Sequence, residues 1–391
     1  MSNQSIAFAF DIDGVLVRSS TPLPGATTAL AQLQSLNIPF IFLTNGGGKT
    51  ERDHVALVSK RLDLTFSPDQ FIQSHTPFKD LVPALHDKNI LVLGGTGNAI
   101  RKVAQAYGFK RVFTPSDILA TFPHIYPFSE LTQDHHQEHG QPLPLNPDGK
   151  FQFSAILVWS SPRDWGLDLQ LMLDLLLSDR GYLHTTSLGS DYAKTSPPVY
   201  WCNPDLTWAT KDPLPRVAQG SFRAALQGLW KAHTGLKNLP NESMVGKPTR
   251  ATYLYGEKTL QEWNLQLNGF GARPIDTVYM IGDNPASDIQ GANAFKSPSG
   301  IEWKSILVES GVYQAGEKPA WVPTFVVKDV MAAVDLVLEI SGFGYGGEGG
   351  WKGKVSSSSE GSTAPSTPGS SDWEAPASSI SFPAPAKLKD W

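Results

Sequence analysis

Several features are scarce in this 391-residue sequence, and each absence narrows the range of possible functions. A single cysteine, Cys202, excludes an internal disulfide framework and any site built from several thiolates. No stretch approaches the roughly 18 consecutive apolar residues of a membrane-spanning helix. Lysine and arginine form no cluster, and 32 basic against 37 acidic side chains leave a net charge of −5. We therefore expect no membrane span and no nucleic acid partner.

The amino-terminal residues also lack a targeting signal. The first ten, MSNQSIAFAF, have no basic region of the kind that opens a secretory signal. We therefore predict an intracellular, cytoplasmic protein. Its length and its 40% hydrophobic content allow two domains of ordinary size.

Short apolar runs alternate with amphipathic segments near both ends of the chain, as at residues 6–10, 39–43 and 278–281. This alternation predicts an α/β fold whose core is a Rossmann-like, doubly wound parallel sheet. The intervening region differs in character and predicts an inserted α/β cap domain. The predicted division is a core made of residues 1–115 and 228–340, a cap at 116–227, and a disordered Gly/Ser/Pro-rich tail at 341–391.

The first motif with chemical potential is DIDGVL, directly after the apolar run IAFAF. Ligands of open parallel sheets bind beyond the carboxyl ends of strands, where both acids would lie. Asp11 can attack phosphorus, while Asp13 can protonate the leaving alcohol and later activate water. The alternative is a hairpin, because Asp-Gly between apolar runs is also a strong turn signal.

Two further motifs can bind phosphate. Thr44, Asn45 and Gly46 end the run PFIFL and offer a hydroxyl and unhindered backbone amides. Lys247, in VGKPT, can neutralise both a carboxylate nucleophile and the phosphoryl oxygens. Taken singly, each is also compatible with an ordinary turn.

The last motif, GDNPASD, follows the apolar run VYMI. Asp283 would complete an oxygen-rich Mg²⁺ site with Asp11 and the carbonyl of Asp13. We expect Asp288 to orient Lys247 or a metal-bound water rather than to bind the metal. Its alternative role is that of an acid interacting with a helix dipole.

The four motifs, in this order over about 340 residues, resemble those of the haloacid dehalogenase-like (HAD) hydrolase superfamily. The insertion between the second and third motifs is similar to the cap of the class IIA, NagD-like phosphatases. TNGGG and the segment beginning CNPDLTW resemble the branch named after the cat eye syndrome critical region protein. Gly46 departs from the TNN of most other class IIA members, so their substrate specificities do not transfer.

This resemblance implies a mobile cap and Mg²⁺-dependent hydrolysis of a small phosphorylated metabolite. It assigns Asp11 as nucleophile, Asp13 as acid and base, Thr44 and Lys247 to phosphate, and Asp11, Asp13 and Asp283 to the metal. The cap segment with Asn203 and Asp205 matches the part of the family that faces substrate. Relatives are often mitochondrial, but with the first motif at residue 11 the sequence shows no presequence.

Three other features have competing interpretations. The sequence GGTG at 94–97, with Asp117 further on, suggests a dinucleotide site but lacks the fingerprint's third glycine, and the alternative is a tight turn in the same sheet. His135, His136 and His139 suggest a transition-metal site or a solvated loop. The apolar run 169–177 predicts a buried cap helix or a subunit contact, and the second interpretation predicts a homodimer.

Two alternatives to a phosphatase remain open at this point. The chain can transfer phosphoryl groups to an acceptor other than water, and some fungal relatives are associated with glycerophospholipid synthesis. It can also be a binding or scaffold protein that retains the fold with weak or no turnover.

Overall fold

The structure is a computed structural model that describes residues 5–128, 133–187, 191–208, 214, 216–313, 316 and 318–343. The predicted tail therefore lies almost wholly outside the described residues. Among those residues, no helix is both long and apolar enough to cross a membrane.

The described chain alternates strands with helices along most of its length. The strands are β1 (Ile6–Phe10), β2 (Val17–Arg18), β3 (Thr21–Pro22), β4 (Phe40–Leu43), β5 (Phe71–Ile72), β6 (Ile90–Leu93), β7 (Val112–Phe113), β8 (Ala155–Val158), β9 (Val199–Trp201), β10 (Thr207–Trp208), β11 (Arg216–Val217), β12 (Glu242–Met244), β13 (Thr277–Gly282), β14 (Glu302–Val308) and β15 (Phe325–Val327). The α-helices are α1 (Ala26–Ser35), α2 (Glu51–Leu62), α3 (Val82–Leu85), α4 (Ala99–Tyr107), α5 (Pro115–Thr121), α6 (Gln133–His139), α7 (Trp165–Leu177), α8 (Tyr192–Thr195), α9 (Gln219–Thr234), α10 (Arg250–Asn268), α11 (Gln290–Ala294) and α12 (Val330–Ile340).

The first domain, which we call the core, is built on a six-stranded sheet in the order β15-β14-β13-β1-β4-β5. Every neighbouring pair is parallel. Helices α1, α2 and α12 pack on one face, and α10 and α11 on the other. Strands buried on both faces explain why IAFAF and TVYMIG are apolar without alternation. The predicted doubly wound α/β fold is confirmed.

The second domain, which we call the cap, has its own five-stranded parallel sheet in the order β12-β9-β8-β6-β7. One face carries α3 and α4, and the other carries α5, α7 and α9. Within α7, Leu171, Met172, Leu175 and Leu176 are fully buried. The apolar run 169–177 is therefore a buried cap helix, as one of the two interpretations predicted.

The predicted domain limits differ from the division between the two sheets. Strands β6 and β7 precede residue 116 and β12 follows residue 227, yet all three belong to the cap sheet. The assignment of 1–115 and 228–340 to the core was therefore wrong at its inner limits. An apolar strand followed by an amphipathic helix has the same pattern in either sheet, so the pattern does not show which partner the strand pairs with.

One predicted loop is also different in the structure. Residues of the segment around His135 form the short helix α6, whereas the sequence favoured a solvated loop. The polar composition of the segment suggested that it is solvated. In the structure, however, His136 is buried and bonded to the hydroxyl of Ser116.

Candidate active site

Asp11 lies at the carboxyl edge of the core sheet, directly after β1. Its backbone N–H donates to Ile281 O at 2.9 Å, which continues the pairing of β1 with β13. Its Oδ1 lies 2.7 Å from Lys247 Nζ. Lys247 comes from the segment between β12 and α10, where the chain returns from the cap to the core. The first and third motifs therefore meet in an ion pair, although 236 residues separate them.

Lys247 is almost completely buried and also contacts Asp288 Oδ1 at 2.7 Å. Burial alone would lower its pKa, but the charges of Asp11 and Asp288 outweigh burial and raise the pKa above its ordinary value. Lys247 is consequently a permanent ammonium group between two carboxylates. Asp288 thus contacts Lys247 directly, as its predicted orienting role requires.

Asp283 follows β13 and is buried beside the same group of acids. Its Oδ2 accepts a hydrogen bond from Val312 N at 2.7 Å. A Cβ added to Gly14 or to Gly311 would lie 2.2 or 1.9 Å from that oxygen, so both positions require glycine for space. Burial, and then the charges of Asp11 and Asp288, raise the pKa of Asp283 well above its usual range.

The carboxylates fit a divalent cation. Oxygens of Asp11, Asp283 and Asp288 all lie within 4.8 Å of one another, and all three residues are buried. Lys247 supplies one positive charge against three acids, so the site carries excess negative charge, which a hard cation with oxygen ligands would neutralise. The side chain of Asp13 is not in this group, which leaves its backbone carbonyl as the predicted ligand from that residue.

Asp13 lies two residues after Asp11 in the sequence. The residue as a whole is exposed, but the surrounding protein partly removes water from its carboxyl. This desolvation, followed by the negative charge of Asp11, raises the pKa of the carboxyl to about 6. A carboxyl with such a pKa exchanges protons readily near neutral pH, which is the property required of an acid that later acts as a base. Gly14, with φ of 86°, turns the chain immediately after it.

The second motif lies next to the first, because β4 pairs with β1. Thr44 Oγ1 accepts from Gly46 N at 3.0 Å, which folds the turn back on the strand end. Asn45 makes two hydrogen bonds with the backbone of Lys247: its Oδ1 accepts from Lys247 N at 2.7 Å, and its Nδ2 donates to Lys247 O at 2.9 Å. The TNG turn therefore fixes the backbone that carries the lysine.

The cap reaches the same asparagine. Asn45 Nδ2 also donates to Asp205 Oδ2 at 3.1 Å, and Asn203 Nδ2 donates to Asn45 O at 3.3 Å. The cap loop that follows β9 thereby contacts the second motif directly. Gln219, at the start of α9, holds this loop by accepting from Asn203 N at 2.9 Å. Both predicted cap residues thus contact Asn45 of the second motif.

A buried chain of hydrogen bonds behind the second motif was not predicted from the sequence. His75 Nε2 accepts from Gly48 N at 3.1 Å, and its Nδ1 donates to the Tyr107 hydroxyl at 2.9 Å. Tyr107 in turn donates to Glu51 Oε1, which also lies 3.3 Å from Lys79 Nζ. No motif signals these contacts, because their members lie far apart in the sequence, at residues 48–51, 75–79 and 107. The bond from Gly48 N to His75 holds the glycine turn.

The dinucleotide interpretation of GGTG is not supported by the structure. Asp117 would be needed to bind a ribose, but both of its carboxylate oxygens bond to the guanidinium of Arg101 at 2.8 Å. The turn also belongs to the cap sheet, not to the core sheet as expected.

Comparison with known proteins agrees with this geometry. Two family models match the chain, a haloacid dehalogenase-like hydrolase model over residues 8–110 and a HAD-hydrolase-like model over residues 244–333. The "Mitochondrial hydrolase YKR070W" of Saccharomyces cerevisiae is 38% identical over 355 residues, which span 86% of this chain and 97% of that protein. The chain is a haloacid dehalogenase-like hydrolase. The family predicted from the four motifs is therefore confirmed.

Two other proteins extend the comparison for this HAD hydrolase. A "Cardiolipin synthase (CMP-forming) / mitochondrial hydrolase fusion protein" of Schizosaccharomyces pombe is 37% identical over 335 residues, covering 85% of this chain and 53% of that one. The solved p-nitrophenyl phosphatase of Archaeoglobus fulgidus has 17% identity and a TM-score of 0.54, with 85% of this chain and 99% of that chain covered. At that identity the likeness shows the shared fold.

Proposed function

We propose that this HAD hydrolase is a Mg²⁺-dependent phosphatase that hydrolyses a small phosphomonoester through a phosphoryl group carried on Asp11. The observation that supports this most is the position of Asp11. Its carboxylate lies at a strand end, 2.7 Å from a buried ammonium group and within a cluster of acids close enough together to hold a divalent cation. This arrangement can neutralise a phosphate ester while it holds an anionic nucleophile beside it.

In the first step, an Asp11 carboxylate oxygen attacks phosphorus and the bond between phosphorus and the ester oxygen breaks. Asp13 gives its proton to the departing oxygen, so that an alcohol leaves. In the second step, Asp13 takes a proton from water, whose oxygen attacks phosphorus. The acyl-phosphate bond then breaks, which releases inorganic phosphate and restores Asp11.

Lys247 and the TNG turn provide the electrostatic environment for both steps. Lys247 offsets the charge of the phosphoryl oxygens, and the hydroxyl of Thr44 and the amides after Asn45 can donate to them. A divalent cation held by Asp11, Asp283 and the Asp13 carbonyl would offset the remaining negative charge. In this proposal Asp288 keeps Lys247 in position.

The cap supports a small substrate. Asn203 and Asp205 both bond to Asn45, so the cap loop lies against the motif whose asparagine fixes the backbone of Lys247. Asp11, Lys247 and Asp283 are all buried, which favours a substrate that is enclosed when the cap closes. We propose that Asn203 and Asp205 contribute to the choice of substrate.

The decisive experiment is hydrolysis of an aryl phosphate by the full chain and by Asp11→Asn. Removal of the nucleophile should reduce kcat at least about 10³-fold, as for other covalent catalysts. EDTA should abolish activity of the unmodified protein and Mg²⁺ should restore it. Activity in Asp11→Asn within tenfold of the unmodified level would disprove the role of Asp11. Asp69→Asn, a matched change at an exposed acid outside the site, serves as control.

A phosphotransferase linked to glycerophospholipid metabolism is a second candidate, because the S. pombe relative is named as a fusion with cardiolipin synthase. Incubation with an alcohol acceptor such as glycerol, followed by product analysis, distinguishes the two. Free phosphate as the dominant product supports hydrolysis, while a new phosphomonoester of the acceptor supports transfer. A third outcome, binding of phosphorylated metabolites with no phosphate release across a panel, would favour a scaffold protein.

A further inference from the structure

The cap sheet has the strand order that creates a ligand crevice in open parallel sheets. In chain order its strands are β6, β7, β8, β9 and β12, and in space β6 lies between β7 and β8. Helix α4, which leaves β6, packs on one face of the sheet, whereas α7, which leaves β8, packs on the other. The turns after β6 and β8 therefore diverge at the carboxyl edge. Such switch points are the places where doubly wound sheets bind ligands.

A cavity of about 470 Å³ lies at this switch point, away from Asp11. It is bounded by the GGTG turn after β6, by the turn after β7, by the first turn of α7, and by α6, which covers the crevice. None of the active-site residues described above lines it.

One wall of the cavity presents backbone amides. The turn Gly94–Gly97 contains three glycines with positive φ and leads into α4. Asn98, the residue before α4, makes no side-chain cap, because its Oδ1 accepts from the guanidinium of Arg101 at 3.0 Å. The first amides of this nine-residue helix thus have no side-chain acceptor, and they suit a small anionic group such as a carboxylate.

The opposite wall presents acids and a histidine. Asp168 is only 5% exposed and lines the cavity. His136 is 8% exposed, and its Nε2 has no hydrogen-bond partner, with Asp164 Oδ2 3.7 Å away. Burial and then the charge of Asp164 raise the pKa of Asp168 well above its usual range. A buried polar group without a partner is uncommon, and a ligand with donors would satisfy it.

Two common ligands, a phosphate group and a metal ion, do not suit this cavity. The cavity is lined by three acids, Asp134, Asp164 and Asp168, against one arginine, Arg163, so its acids outnumber its permanent cation and disfavour a phosphate dianion. In the described part of the chain, the one group of acids and histidines close enough to hold a metal is the group at Asp11. What remains is a molecule with a cationic donor at one end and an anionic acceptor at the other.

We propose that this cavity binds a small zwitterion, with its carboxylate at the first turn of α4 and its ammonium group between Asp164 and Asp168. A free α-amino acid has this charge arrangement and is small enough for the cavity. The site is distinct from the phosphatase site and does not depend on the proposed reaction.

The test is calorimetric titration of the full chain with the proteinogenic amino acids, one at a time, and with inorganic phosphate and adenosine for comparison. We expect at least one amino acid to bind, and to bind equally well to Asp11→Asn. Asp168→Ala should weaken binding by about tenfold or more, because an ammonium-carboxylate hydrogen bond is lost. Asp174→Ala, on the same helix but outside the cavity, should not change it.

A second variant keeps the proposal testable if Asp168→Ala fails to fold. Thr96 is exposed at the tip of the glycine turn and lines the cavity, so Thr96→Trp should block the cavity without disturbing the sheet. The proposal is overturned if no amino acid binds, or if the folded variants bind it with unchanged affinity. It is also overturned if adenosine or phosphate binds instead and Thr96→Trp abolishes that binding.

Discussion

At the scale of single residues, Lys247 is the group on which the charge balance of the site depends. It contacts Asp11 and Asp288 at 2.7 Å each and is almost inaccessible to water. Removal of one partner of a buried ion pair strongly destabilises the folded protein, because the remaining charge stays desolvated. The lysine therefore stabilises the folded site, and in the proposed reaction it also offsets the charge of the phosphoryl group.

Replacement of Lys247 by Met tests both functions. The change keeps the length of the side chain but leaves Asp11 and Asp288 without their cation. We expect kcat/KM to fall by about 10²–10³, as when other charge-stabilising donors are lost, and the folded state to lose roughly 3 kcal/mol. Activity on an aryl phosphate and urea unfolding measure the two effects. A folded variant with nearly full activity would contradict the assignment of Lys247 to the phosphoryl group.

His75 makes the stability of the protein depend on pH. Burial, the largest effect, lowers its pKa to about 4, against 6.5 for an unperturbed histidine. The unfolded chain therefore binds a proton below pH 6.5 that the folded chain does not bind until about pH 4. Stability from this residue is fully present above pH 6.5 and declines as the pH falls towards 4, by about 3 kcal/mol in total.

The variant His75→Gln removes this titration. Its free energy of unfolding should fall less than that of the unmodified protein between pH 6.5 and pH 4, by roughly the 3 kcal/mol given above. Urea titrations at several pH values measure the difference. Parallel pH dependences in the two proteins would show that another group dominates.

At the scale of elements, the turn after β6 depends on a glycine, Gly94, because the backbone of Ser160 lies where a side chain would be. A Cβ on Gly94 would lie 2.0 Å from the carbonyl oxygen of Ser160, and φ there is 101°. Close approach of two backbones at the carboxyl edge of the cap sheet therefore requires glycine.

Gly94→Ala should destabilise the protein by roughly 3 kcal/mol or more, because the clash is with backbone that cannot rotate away. Gly149→Ala is the matched control: φ is also positive, at 70°, but nothing lies within 4 Å of the added carbon. We expect the control substitution to destabilise the protein by only about 1 kcal/mol. Equal losses in thermal unfolding would mean that backbone strain alone, without the clash, explains both.

The elements also show what the sequence could and could not predict. Asp11, Thr44 and Asp283 end strands that are buried on both faces, so local apolar runs and the polar residues after them predicted the core and its motifs. The division between the sheets was missed, because β6 has the same local pattern as a core strand and pairing is a long-range property. His75 was missed for a related reason, since its partners are brought together only by the folded chain.

At the scale of the whole molecule, the cap and the core meet at one asparagine. Asn45 bonds to the backbone of Lys247 and, through its side-chain and backbone groups, to Asp205 and Asn203 of the cap. Lys247 itself lies where the chain passes from cap to core. If the cap moves, as the family resemblance implies, its movement would therefore be transmitted through Asn45 to the backbone that carries Lys247.

Asp205→Ala tests this connection. Loss of the hydrogen bond from Asn45 Nδ2 should favour the open cap, so we expect KM to rise about tenfold or more, as for one charge-assisted hydrogen bond, with a smaller change in kcat. Asp205→Asn is the control, because its amide oxygen can still accept from Asn45 while the negative charge is removed. Small-angle scattering should show a larger radius of gyration for Asp205→Ala than for Asp205→Asn. An equal rise of KM in both variants would show that the charge of Asp205 matters and its hydrogen bond to the core does not, and no change in either would contradict the connection.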